Sequence, residues 1–116
     1  MSKRTVVVDG KEYEIEESSG NIFADLGLPN PEERLAKADL SIAIEREIRA
    51  RGLTQKQAAE LLGITQPDVS EIVRGRLSGW SIERLSRLLT RLGQDVEITV
   101  RPSPEGGPGR LQVKVA

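Results

Sequence analysis

The chain has 116 residues, 37% of them hydrophobic but only 3% aromatic, which allows one modest core built mainly from Leu, Ile, Val and Ala. It carries 17 basic and 18 acidic residues for a net charge of -1, and it has no cysteine and no histidine. Disulfides and thiolate ligands are thereby excluded, and the commonest metal ligand and general base is missing, so neither a metal nor a cofactor is expected. No apolar run could span a bilayer and no signal-peptide core opens the chain, so the cytoplasm is the expected compartment and a membrane is not an expected partner.

From the N-terminus, Val6 to Val8, Asp9-Gly10, and Glu12 to Glu16 with Tyr13 and Ile15 alternating against glutamates predict a hairpin with a tight turn. Such a hairpin is marginal alone and needs a partner surface or remains flexible. Ser18-Ser19-Gly20-Asn21 reads as a hinge, followed by a short apolar patch of Ile22, Phe23 and Leu26 before Gly27. Asn30-Pro31-Glu32-Glu33 reads as a helix start, with asparagine as cap, proline first and glutamate third. The helical pattern runs to Arg51, with Leu40, Ile44 and Ile48 at four-residue steps and Gly52 as its stop; it admits a bend or break near Ala38-Asp39.

The segment from Leu53 to Arg76, LTQKQAAELLGITQPDVSEIVRGR, has the spacing of a helix-turn-helix. Thr54 and Gln57 form a capping box for a first short helix whose buried side is Ala58, Ala59, Leu61 and Leu62. Ala59 is small where two steeply crossed helices approach most closely. Gly63 suits a left-handed turn, with Ile64 plugging the apolar space beneath it. Thr65 and Asp68 form a second box, and Pro67 falls in a first turn, where its missing N–H does no harm. Val69 and Ile72 face inward, which leaves Gln66, Ser70, Glu71 and Arg74 on the outer face, the face that would enter a major groove. An ordinary helical hairpin is the competing reading, weakened by the coincidence of two boxes, paired alanines, a plug and an arginine-rich exit.

Gly75 to Gly79 reads as a loop, Trp80 as a core anchor, and Ser81 as the cap of a helix carrying Ile82, Leu85, Leu88, Leu89 and Leu92 and ending at Gly93. Val96, Ile98 and Val100 alternate as in a strand, residues 102–109 are linker-like, and Leu111 to Val115 could form a last strand. Acidic residues gather toward the N-terminus, at Glu12, Glu14, Glu16, Glu17, Asp25, Glu32 and Glu33. Arginines gather from Arg74 onward, at Arg76, Arg84, Arg87, Arg91 and Arg101. That set could meet a DNA backbone, although Arg84, Arg87 and Arg91 equally suit solvated helix faces.

The segments NIFADLGLP, ERLAKADL, GLTQKQAAELLGITQPDVSEIVRGRLSGWS and LLTRLGQDVEITVRP, spanning Asn21 to about Pro102, resemble Xre/Cro-type helix-turn-helix proteins, especially the HigA-type antitoxin branch. The resemblance implies a five-helix-like DNA-binding fold followed by a strand; with the N-terminal hairpin read above, the expected fold is a mainly α, lambda-repressor-like bundle with short flanking strands. It also implies a homodimer, an operator in the protein's own promoter, and often a cognate toxin that cleaves messenger RNA. By similarity, Gln55 would touch phosphate, Thr65, Gln66, Pro67, Ser70, Glu71 and Arg74 would face DNA, and Arg76 and Ser78 would lie near the backbone. Asp68 and Glu71 depart from a basic surface, since a carboxylate in a groove repels phosphate unless it accepts from a base amino group.

Three regions follow: an arm over 1–20, the DNA-binding domain over 21–93, and a strand and tail over 94–116, in which Val96, Ile98 and Val100 are the expected dimerisation residues. The expected partners are double-stranded DNA with a palindromic operator, a second copy of the chain and a cognate toxin, with nucleoid association when operator-bound. A free-standing repressor and an interaction module without DNA affinity are the alternatives. An enzyme is disfavoured, because the chain has neither a nucleophile elbow nor a phosphate-cradling glycine loop.

Overall fold

The computed structural model describes residues 3–8, 11–16 and 21–116. Strand β1 (Lys3–Val8) pairs antiparallel with β2 (Lys11–Glu16), with Val8 opposite Lys11 and Lys3 opposite Glu16. The expected hairpin is therefore formed, with longer strands than its apolar pattern marked. The Asp9-Gly10 turn and the Ser18-Ser19-Gly20 part of the hinge lie outside the described residues.

Five helices follow: α1 (Ile22–Asp25), α2 (Pro31–Ala50), α3 (Gln55–Leu62), α4 (Gln66–Val73) and α5 (Ile82–Arg91). Asn21 opens α1, its side-chain oxygen accepting from the N–H groups of Phe23 at 2.9 Å and Ala24 at 3.2 Å. Its amide donates to Pro31 O at 3.1 Å, tying α1 to the start of α2. Asn30 is left-handed, with φ 50°, and makes no side-chain cap bond, so the cap expected of it is not formed. Pro31 explains why α2 begins there regardless, since its fixed φ is already helical and its lack of an N–H leaves one fewer donor to satisfy.

Helix α2 is continuous from Pro31 to Ala50, without a break at Ala38-Asp39. No glycine or proline interrupts it after Pro31, and the buried Ser41 hydroxyl donates to Ala38 O at 2.8 Å within the helix. Ala36, Leu40, Ile44 and Ile48 form its buried stripe. The stripe packs chiefly on α5, with Leu85, Leu88, Leu89 and Leu92 opposite, while α3 and α4 add Ala58, Ala59, Leu62, Val69 and Ile72. Arg51 locks the far end by donating from Nη2 to Leu92 O at 2.6 Å.

Beyond α5 the structure departs from expectation. Residues 94–100 form no strand, and among the described residues no strand pairs with them; Ile98 and Val100 are 90% and 92% exposed. Alternating side chains specify a pleat, but a strand also needs a ladder partner, and none is paired to the segment among the described residues. Leu111 to Val115 is likewise not a strand. It lies along α2, where Val113 packs on the core and the Leu111 N–H donates to Glu32 Oε2 at 3.2 Å.

Asp39 is half-buried between α2 and this tail, beside Glu32, Arg46, Val113, Lys114 and Val115. Desolvation raises its pKa above the ordinary 3.8. A carboxyl whose folded pKa is raised opposes folding when ionised. That cost is fully present above the raised value and disappears as pH falls through it toward the unfolded value. Asp39→Asn is therefore expected to raise the melting temperature at ~pH 7 and to lose that advantage at ~pH 3.5. Equal shifts at both pH values would show that the asparagine acts through packing.

Candidate nucleic-acid interface

The α3–turn–α4 unit is built as its local sequence dictates. Thr54 accepts from Gln57 N at 3.1 Å while Gln57 Oε1 accepts from Thr54 N at 2.9 Å. Thr65 and Asp68 repeat the arrangement at 3.2 Å in both directions. Each box satisfies donors that a helix start otherwise leaves orphaned, so both short helices begin at fixed residues. Between them Gly63 is left-handed, with φ 70°, and the Ile64 N–H reaches back to Ala59 O at 3.1 Å. Ile64 packs against the core.

Burial separates the two faces of α4. Val69 and Ile72 are fully buried, whereas Gln66, Pro67, Glu71 and Arg74 are exposed and Ser70 is half-buried. On α3, Ala58, Ala59 and Leu62 are buried, but Leu61 is 38% exposed and not part of the buried side. Helical geometry places residue 61 a full 100° beyond its neighbour at 62, which turns it off an already filled stripe. Gln55 and Thr65 are exposed at the starts of α3 and α4.

The loop leaving α4 is pinned. Gly75, at φ 72°, turns the chain so that Arg76 N donates to Glu71 O at 2.9 Å, and Trp80 N donates to Leu77 O at 2.9 Å. Leu77 and Trp80 point into the protein, at 8% and 3% exposure, while Arg76 and Ser78 point out. The candidate residues from α4 and this loop thus sit on a scaffold whose alternate residues are anchored. Trp80 is core, as expected. What the sequence reading missed is its polar end: Trp80 Nε1 donates to Glu71 Oε2 at 3.2 Å, and the Arg84 guanidinium stacks 4.1 Å from the ring centroid. The available signals were an indole N–H that needs an acceptor when buried and an arginine four residues further along a helix.

Of the downstream arginines, Arg87 pairs with Glu83 at 2.9 Å, a solvated helix-face pair. Arg91 lies beside the turn, where a Cβ on Gly63 would come within 3.3 Å of its guanidinium. Among the described residues no helix is long and apolar enough to cross a membrane.

A family model described as "Helix-turn-helix domain" matches residues 22–101. A solved structure named "Putative XRE Family Transcriptional Regulator" is 43% identical, with a TM-score of 0.70, covering 76% of this chain and 100% of its own. No curated protein matches. A family match over most of the chain, joined to that identity and to the doubly capped motif with its outward polar face, establishes that the chain belongs to the Xre-type helix-turn-helix family of DNA-binding transcriptional regulators.

Proposed function

We propose that this protein is a sequence-specific repressor that binds a palindromic operator as a homodimer, with α4 in the major groove. The observation that carries the reading is the division of α4 into a buried face, Val69 and Ile72, and an outward face bearing exposed Gln66 and Glu71 and half-buried Ser70, with Arg74 exposed at its C-cap. Gln66, Ser70 and Arg74 are the base readers, and Gln55, Thr65, Pro67, Arg76 and Ser78 flank them toward the phosphates. A gel shift on the DNA upstream of the protein's own gene tests this. No shift at low salt would favour an interaction module that has kept the fold and lost affinity for DNA.

Dimerisation is assigned to Val96, Ile98 and Val100. Their exposure along a segment that forms no strand is a liability for a lone chain and suits an edge-to-edge pairing with a two-fold mate. Ile98→Lys is expected to shift the light-scattering mass toward monomer and to abolish binding to a two-half-site duplex. A stable dimer after that change would move the interface to α5.

Within this reading we place the protein as the antitoxin of a pair whose toxin cleaves messenger RNA. The support is the resemblance of the residues from Asn21 to Pro102 together with acidic residues concentrated in the N-terminal arm, which suit a basic partner. Co-expression with the product of the adjacent reading frame should yield a stable complex and suppress that product's toxicity. A free-standing repressor would do neither.

A further inference from the structure

We propose that Glu71 is a positioning residue and not a base reader: by holding Trp80 it fixes the loop from Gly75 to Gly79, and with it Arg76 and Ser78. The role rests on the DNA-binding reading above, and its observations are independent of that reading. Glu71 fastens both ends of the loop. Its backbone carbonyl accepts from Arg76 N at 2.9 Å at the start, and its carboxylate accepts from Trp80 Nε1 at 3.2 Å just past the end. The indole is 3% exposed and can only donate, so its N–H needs an acceptor, and among the described residues no buried side-chain polar atom lacks a partner.

Arg84 completes the clamp. Its guanidinium lies 4.1 Å from the Trp80 ring centroid, and Nη1 donates to Gly79 O at 3.3 Å, gripping the loop from the α5 side. A cation over the ring draws electron density from the indole and makes its N–H a better donor to the carboxylate. The same arrangement bears on the charge of the interface. A bare glutamate on a reading helix opposes phosphate, but this one is joined through the indole to a guanidinium, and the three groups together carry no net charge. An acidic residue on the outer face of α4 is thereby compatible with a DNA surface without any contact to a base.

The test uses the full chain with Glu71→Ala and Glu71→Gln, a pool of randomised duplexes at fixed salt, and the emission of Trp80, the single tryptophan. Glu71→Ala leaves the indole N–H without its acceptor. It should shift the Trp80 emission, lower the melting temperature, and weaken binding to every selected duplex by roughly tenfold with the preferred sequence unchanged. Glu71→Gln restores an acceptor oxygen and removes a negative charge; it should recover the parent's melting temperature and sequence preference and bind a few-fold tighter. A changed base preference in either variant would mark Glu71 as a reader and overturn the proposal. Parent-like emission and melting in Glu71→Ala would overturn it too. A parent that selects no duplex removes the DNA reading and the positioning role together, a failure recognisable because the emission of Glu71→Ala still reports the bond to Trp80.

Discussion

Gly63→Val is expected to lower stability by about 1–3 kcal/mol, the cost of forcing a β-branched residue into a left-handed conformation. On a domain of this size that corresponds to a fall in melting temperature of roughly 5 °C or more. Two features of the turn set the size of the effect. The backbone is at φ 70°, and an added Cβ would stand 3.3 Å from the Arg91 guanidinium, so the new side chain meets both torsional strain and a neighbour. Gly63→Asn should be milder, because asparagine tolerates this region better than valine does. DNA affinity should fall with the valine variant although Gly63 presents no side chain, since the angle between α3 and α4 depends on the turn. A valine variant melting with the parent would mean that the turn relaxes to ordinary dihedrals at no cost.

Simultaneous replacement of Gln66, Ser70 and Arg74 by alanine is expected to abolish operator discrimination while leaving the fold in place. Each correct base contact is worth roughly 1–3 kcal/mol, so losing even two of the three amounts to about a hundredfold in specific affinity. Gln66 and Arg74 are exposed and Ser70 is half-buried, and alanine suits all three helical or helix-end positions. Circular dichroism and melting should therefore match the parent. Residual binding should lose its preference for the operator, and with Arg74 gone its salt dependence should be shallower. Unchanged operator affinity at fixed salt would relocate base reading away from α4.

Short-range and long-range interactions set different parts of this fold. The turn and caps of the motif could be read from sequence: the reciprocal caps Thr54–Gln57 and Thr65–Asp68, the left-handed Gly63, and the inward pair Val69 and Ile72 are all set within a few residues. So were the Leu40, Ile44, Ile48 stripe of α2 and the Ser81 cap of α5, because helix periodicity and capping are short-range effects. The N-terminal pairing of β1 and β2 belongs to the same class, its two strands being adjacent in the chain. Tertiary structure decided whatever depends on what stands opposite. Asn30 looked like a cap, but its side chain makes no cap bond, and Asn21, ten residues away from Pro31 in sequence, makes a bond that joins α1 to α2. Leu61 met a stripe already filled by its neighbours and turned outward. Val96 to Val100 carries a strand's alternation, yet a ladder requires a second chain segment at one edge, and none is supplied among the described residues. Glu71, Trp80 and Arg84 lie on α4, the following loop and α5, so no spacing rule joins all three; the fold of the loop over the core brings a buried donor, an acceptor and a cation together.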